Sequence, residues 1–418
     1  MDWPMHSIWW HVYPLGFCGA PIREDDRAPA HRLRDLTAQL DHALELGANG
    51  LLLGPIFESE THGYDTLDPF TIDPRLGDDE DFDELVAACR ARGIRVVLDG
   101  VFSHVAASHP AVARALADGP DSDAAALIDI DWDSPAGPAP RVFEGHDSLA
   151  RLRHSSDEAA EWATSVMTHW LDRGIDGWRL DAAYSVPADF WERTLASVRR
   201  THPDAWFLGE VIHGDYADFV GRSTVDTVTQ YELWKAIWSS LHDRNMFELD
   251  WTLQRHTAFL EAFTPQTFVG NHDVTRITTT LGPDGAVTAL AILLTVGGIP
   301  SLYYGDEVGL TGVKEDRLGG DDAVRPRWPD APREAEPWSA DVLRAHQDLI
   351  GLRRRHPWLT TATTSATALE NTRYTYRATA ADASASLDVE VDLSETPRVT
   401  VRDEAGTVLW RQDPVRGA

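Results

Sequence analysis

Eight short apolar runs, most of them followed by a longer stretch with helical spacing, constrain this chain more than any other feature. The runs are Ile8 to Tyr13, Asn49 to Leu53, Ile94 to Leu98, Gly177 to Leu180, Trp206 to Gly209, Val225 to Thr229, Thr267 to Gly270 and Pro300 to Tyr304. Between them lie amphipathic stretches such as Ala30 to Leu46, Phe82 to Arg92, Asp157 to Arg173, Pro187 to Arg200, Tyr231 to His242 and Val287 to Val296. Strands that alternate with helices pair in parallel, and eight such units close into a (β/α)₈ TIM barrel. The chain has 418 residues, more than the roughly 250 that such a barrel needs, so it carries additions.

Two segments break the alternation. Residues 105–154 are rich in Pro, Gly, Asp and Ala with little periodicity, and read as a short domain B inserted after the third strand. From about Pro357 onward, Arg373 to Ala378, Ser386 to Val391 and Arg398 to Arg402 alternate as half-buried strands do, which predicts a C-terminal antiparallel β domain. The expected division is a barrel over 1–104 and 155–356, the insert over 105–154 and the β domain over 357–418.

Composition excludes several classes. Lys and Arg number 37 against 67 Asp and Glu, a net charge of −30 that disfavours nucleic acid as a partner. No run of about 18 apolar residues predicts a membrane span, and Met1 to Trp10 has no basic region leading into an apolar leader. The expectation is a cytoplasmic protein with no membrane partner. Cys18 and Cys89 are the only cysteines, so no disulfide framework exists. No dinucleotide, P-loop or zinc spacing is present, so no cofactor and no metal are expected.

Polar residues that end the apolar runs are the ones to inspect, because a (β/α)₈ barrel does its chemistry at the C-terminal ends of its strands. The third run ends in Asp99 and leads to His104; the fourth ends in Arg179-Leu180-Asp181; the fifth ends in Gly209-Glu210; the seventh ends in Asn271-His272-Asp273. Arg179 and Asp181 are two apart and so share one side of a strand. A guanidinium there keeps Asp181 ionised, as a nucleophile must be. Glu210 follows an apolar run with no basic neighbour in sequence, a setting that favours the protonated form a proton donor requires. Two carboxylates in such contrasting settings are the apparatus of glycoside hydrolysis. Asp273 could stabilise an oxocarbenium-like charge or hold sugar hydroxyls.

At these residues the chain resembles the alpha-amylase family, glycoside hydrolase family 13. The matching motifs are Leu98-Asp99-Gly100-Val101-Phe102-Ser103-His104, Gly177-Trp178-Arg179-Leu180-Asp181-Ala182-Ala183, Gly209-Glu210-Val211 and Phe268-Val269-Gly270-Asn271-His272-Asp273. Gly54-Pro55-Ile56-Phe57, His62-Gly63-Tyr64-Asp65 and the stretch from Gly298 to Glu307 add support, and the resemblance runs from about Ile8 to Trp328. It implies Asp181 as nucleophile, Glu210 as acid/base, Asp273 as transition-state stabiliser and Arg179 as the group that orients Asp181. It further implies that Tyr64 stacks under the sugar in subsite −1, that His104 and His272 contact its hydroxyls, and that Asp99 supports the site. Asp321 and Arg325 match a pair that binds sugar at subsite −2. The implied reaction is retaining hydrolysis of α-glucosidic bonds, α-1,4 more than α-1,6, in malto-oligosaccharides or related α-glucosides. The alternatives are a glucanotransferase with the same three acids and a catalytically silent sugar-binding protein.

Departures from the family pattern also carry information. Ser103 stands where members with a shared calcium usually have Asn, which argues against that metal; the acidic run Asp129-Ile130-Asp131-Trp132-Asp133 reads as a solvated loop. Tyr184-Ser185 replace the Lys-His found in many amylases on the leaving-group side, and Thr61 replaces an Asp that closes the site in glucose-trimming members. Most of the 16 tryptophans read as core, with Trp132 and Trp234 better placed for ligand, and His213 is a candidate contact to the +1 sugar. The oligomeric state is not specified by the sequence.

Overall fold

Eight strands of one parallel sheet run through the computed structural model, which describes residues 2–24 and 26–417. They are Trp9–Val12, Gly50–Leu53, Arg95–Gly100, Gly177–Leu180, Trp206–Gly209, Thr227–Val228, Gln266–Phe268 and Ile299–Tyr303. Each lies within a residue or two of an apolar run in the sequence, and helices connect most of them, so the chain has the (β/α)₈ barrel fold with a C-terminal antiparallel β sheet. The strands are buried almost throughout, as expected where helices cover a parallel sheet.

One set of residues with dense internal contacts comprises Tyr13–Leu40 and Leu52–Val228. Here strand Gly177–Leu180 lies between two parallel neighbours, with Arg179 opposite Asp99 on one side and Leu208 on the other. The start of that strand admits no side chain, since a Cβ on Gly177 would sit 2.1 Å from the Trp206 carbonyl oxygen. Helix Asp79–Ala91 opens on a capping box: the Asp78 side chain accepts from the Asp81 N–H, and the Asp81 side chain accepts from the Asp78 N–H. The helix expected over 30–46 is interrupted at Ala38–Gln39, leaving Leu33–Thr37 and Leu40–Leu46. Residues 105–154 hold short helices and strands around a small core of their own that includes Val105, Val112, Ile128 and Leu152. A three-stranded antiparallel sheet of His104–Ala106, His146–Arg151 and Val142–Phe143 ends in a tight turn at Glu144-Gly145.

The second set comprises the chain through Val12, Asp41–Leu51 and the chain from Thr229. Strand Ile299–Tyr303 pairs in parallel with Trp9–Val12 and with Gln266–Phe268. The five-stranded antiparallel sheet runs from Thr363 to Arg411, and in Arg373–Thr379 the alternate residues Tyr374, Tyr376 and Ala378 are buried. The Tyr376 hydroxyl lies 2.6 Å from Thr295 Oγ1, and the Tyr374 hydroxyl donates to Asp250 at 2.9 Å. Helix Ile277–Thr295 is long and apolar enough to cross a membrane by length and composition, a feature the sequence reading did not expect. Its run Gly285–Thr295 is buried, and Gly282, just before Pro283, leaves the helical conformation, so it is a core helix here. Helix Met246–Leu260 escapes periodicity analysis because Phe247 and Trp251 are exposed, at 50% and 60%.

Candidate active site

Asp99, Arg179, Asp181 and Glu210 are brought together by register. Because Arg179 lies opposite Asp99 in the parallel ladder, its Nη1 donates to Asp99 Oδ1 at 2.8 Å and Oδ2 at 2.6 Å, and to Asp181 Oδ1 at 3.1 Å. Its Nη2 reaches Glu210 Oε1 at 2.6 Å. One buried guanidinium therefore touches three carboxylates. Glu210 has no basic neighbour beside it in sequence, and the guanidinium reaches it from the adjacent strand. Burial of the guanidinium is outweighed by its acidic neighbours, which hold the Arg179 proton well above its ordinary range. Burial pushes the Asp99 carboxyl up, against the pull of Arg179.

The backbone after Asp181 is unusual. Ala182 has φ 43° and ψ 40°, a left-handed conformation uncommon for a residue with a Cβ. Its N–H donates to Glu210 Oε2 at 3.0 Å, so the turn fixes the second oxygen of that carboxylate. Tyr64 donates its hydroxyl to Asp99 Oδ2 at 3.0 Å. His104 Nε2 donates to the Tyr64 carbonyl at 3.0 Å, which leaves Nδ1 to accept from Ser103 Oγ at 2.8 Å. Burial lowers the His104 pKa to about 4, so the ring is neutral near pH 7. Ser103, the departure from the family motif, thus hydrogen-bonds the ring nitrogen that the Tyr64 carbonyl leaves as acceptor.

Asp273, His272, Asp321 and Arg325 form a second group. Asp273 Oδ1 accepts from Arg325 Nη2 at 2.7 Å, and Oδ2 lies 3.0 Å from His272 Nε2. Arg325 is itself held by Asp321 at 3.3 Å and by donation from Nε to the His272 carbonyl at 2.9 Å. Lys314 pairs with the other Asp321 oxygen at 3.2 Å. The Asp273 N–H donates to Asn271 Oδ1, and Asn271 Nδ2 donates to the Tyr231 hydroxyl, both at 2.9 Å. At the start of this loop a Cβ on Gly270 would lie 2.3 Å from Asp306 Oδ2, so a larger residue there must displace that carboxylate.

Other contacts were not legible in the sequence. Phe143, in the inserted segment, packs against His104 with ring centroids 4.4 Å apart. Its neighbour Glu144, at φ 46°, accepts from the Tyr184 hydroxyl at 3.0 Å, and Tyr184 lies 5.3 Å from the His213 ring. Trp9, Trp10 and Trp178 are fully buried. The acidic run is matched by cations: Arg141 lies 3.6 Å from Asp129 and 3.5 Å from Asp131, and Arg151 lies 3.8 Å from Asp129. Cys18 and Cys89 are both buried, and no disulfide joins them.

A family model described as the alpha amylase catalytic domain matches residues 22–132 and 142–379. A cyclomaltodextrinase of Geobacillus thermopakistaniensis is 31% identical over 343 residues, 74% of this chain and 57% of that protein. A Bacillus cyclomaltodextrinase is 30% identical over 392 residues, 86% of this chain and 68% of that protein. The chain thus spans between 57% and 68% of the length of these two relatives. Among solved structures, the cyclic α-maltosyl-(1→6)-maltose hydrolase of Arthrobacter globiformis in complex with maltose superposes with a TM-score of 0.82 at 26% identity, over 99% of this chain and 100% of that one. A debranching enzyme of Nostoc punctiforme has a TM-score of 0.75 at 26% identity, over 94% and 90% of the two chains. With four motifs in order and the family model matching most of its length, the chain belongs to the alpha-amylase family.

Proposed function

We propose that the protein is a retaining glycoside hydrolase that cleaves α-glucosidic bonds in malto-oligosaccharides or related α-glucosides. The observation that carries this reading is the single guanidinium of Arg179 shared by Asp99, Asp181 and Glu210. Three acids on one cation leave a surplus of negative charge, which one proton relieves. In the proposed reaction Glu210, as the acid, passes a proton to the glycosidic oxygen while the Asp181 carboxylate attacks the anomeric carbon. The leaving sugar departs with the proton, and a glycosyl ester on Asp181 remains. Glu210, now a carboxylate, takes a proton from water, whose oxygen attacks the anomeric carbon and frees Asp181. Two carboxylates on one guanidinium favour the short separation of retaining enzymes over the wider gap that makes room for a water.

Asp273 is assigned the stabilisation of the oxocarbenium-like charge, with Arg325 and His272 holding its two oxygens. Tyr64, Asp99, His104, His272, Asp321 and Arg325 are assigned to binding and shaping the sugar site. The names of the Arthrobacter hydrolase and of the cyclomaltodextrinases support a maltosyl or glucosyl substrate. A further relative is named an intracellular maltogenic amylase of Bacillus subtilis, which supports a cytoplasmic location. The proposed domains are a barrel over 1–104 and 155–356, a domain B over 105–154 and a domain C over 357–418.

A second reading, transfer to a sugar acceptor, draws on Tyr184-Ser185 standing where the family pattern has Lys-His, and on the contacts of Tyr184 with Glu144 and His213. A time course with maltopentaose, resolved by size and with proton NMR of the earliest product, separates the two. Shorter α-configured sugars alone are expected, whereas sugars longer than the input would establish transfer. Asp181→Ala and Glu210→Gln should each lose at least about 10³-fold in kcat with the fold intact by circular dichroism. Retained turnover in either variant would refute the assignment.

A further inference from the structure

Helix Tyr231–Asp243 carries Tyr231, Trp234 and Trp238 at spacings of three and four residues, so the three rings form one stripe. The residues that bury this helix are others, among them Leu233, Ala236, Ile237 and Leu241, while both tryptophans are only half-buried. The core therefore takes up only part of the stripe. Trp234 lies flat on Phe268, with centroids 6.3 Å apart and planes at 16°, and Trp238 follows at 6.0 Å. Beside them lies a cavity of about 530 Å³. Trp234, Trp238, Val274 and Ile277 supply its apolar wall, and Lys314 and Glu315 lie among its polar residues.

The cavity is tied to the candidate site at both ends of the stripe. Val274 is the residue after Asp273, and Tyr231, one turn before Trp234, accepts the Asn271 hydrogen bond whose other end receives the Asp273 N–H. The Trp238 indole N–H is buried without an acceptor among the described residues. Aromatic faces bordered by charged and hydroxyl groups suit a pyranose, which presents C–H groups on its faces and hydroxyls at its edges. Glucose units carry no charge, so a site bordered by both Lys314 and Glu315 does not repel them.

We infer that this cavity is a sugar-binding subsite, in which Trp234 and Trp238 seat glucosyl units of the substrate beyond those flanking the bond to be cleaved. It rests on the glycosidase reading above and narrows its substrate to chains long enough to reach the helix. The volume lies within the range of about 300–1,000 Å³ common to small-ligand sites, room for a short glucosyl segment.

The test uses the full chain with maltopentaose. Binding is followed by tryptophan fluorescence in the inactive Asp181→Asn background, and KM and kcat are measured in the active protein. Trp234→Ala and Trp238→Ala should each weaken binding and raise KM by about tenfold, with kcat lowered far less. Thr280→Trp, which removes no ring but fills the cavity its parent residue lines, should do the same. Trp238→Phe, which keeps a ring, should recover most of the loss and exclude a folding defect as its cause. Binding and KM within twofold of the parent protein in the alanine and filling variants would overturn the subsite while leaving the hydrolase reading in place. A parent protein that binds maltopentaose through these tryptophans but hydrolyses no α-glucoside would keep the subsite and overturn the hydrolase reading. An absence of both binding and hydrolysis would overturn both.

Discussion

Arg179 works by geometry as much as by charge. A planar guanidinium donates along several fixed directions at once, and here those directions meet Asp99, Asp181 and Glu210. Lysine keeps the charge but concentrates it on one nitrogen, so Arg179→Lys should lower kcat by about 10²-fold or more even if the protein folds. Activity within a few-fold of the parent would mean that the shared contact is incidental. His256 illustrates the opposite preference, for neutrality. It is buried, donates from Nε2 to the Gly297 carbonyl at 3.0 Å and lies near Arg353, and burial pulls its pKa down to about 4. Below about pH 6.5 the unfolded chain takes up a proton that the folded chain refuses. Its contribution is therefore full above pH 6.5 and is lost as pH falls toward 4, on the order of 3 kcal/mol in all. Asp99 and Asp306, whose carboxyls burial pushes up, act with the opposite sign but are common to parent and variant. Urea unfolding of the parent and of His256→Gln should show a stability gap at pH 7 that narrows by pH 4.5; a constant gap would refute this account of His256.

Parallel strands this closely paired leave specific positions without room. Gly177→Ala would bring a Cβ to 2.1 Å from the Trp206 carbonyl oxygen, a backbone atom that can yield only by parting the ladder next to Arg179. Overpacking of this kind costs about 1–3 kcal/mol or more, and because the same ladder sets Arg179 against Asp99, kcat should fall with stability in urea melts and rate measurements on the variant. An unchanged midpoint would show that the strand can shift without cost. The same ladder explains what the sequence discloses and what it withholds. Strands Gly177–Leu180 and Trp206–Gly209 coincide with their apolar runs because a strand covered on both faces writes itself as continuous hydrophobicity. The acids at the strand ends stand out for the same reason, as polar residues where apolar ones stop. Pairing across the ladder is not local, so the contact from Arg179 to Glu210 is absent from any short window of sequence. The contacts of Arg325 with Asp273 and of Glu144 with Tyr184 join residues 52 and 40 apart in sequence, farther than any local period reaches.

The charge of −30 is the property least visible in any single contact. Many acidic residues are paired, as Asp129 and Asp131 are with Arg141 and Arg151, but 37 basic side chains cannot match 67 acidic ones. The surplus repels itself most at low salt, where screening extends over about 30 Å at 10 mM and shortens to about 8 Å at 150 mM. Folding brings that charge together, so added salt should stabilise the protein, and its melting temperature should rise by about 2–4 °C across that range. The proposed substrate is neutral, and its recognition through aromatic faces and hydrogen bonds has no long-range electrostatic component. KM for maltopentaose should therefore stay within about twofold over the same salt range while the melting temperature moves. A KM that changed severalfold with salt would point to a charged substrate, and with it to a different reading of the site. A melting temperature that did not move would mean that the acidic surplus is already neutralised by pairing within the fold.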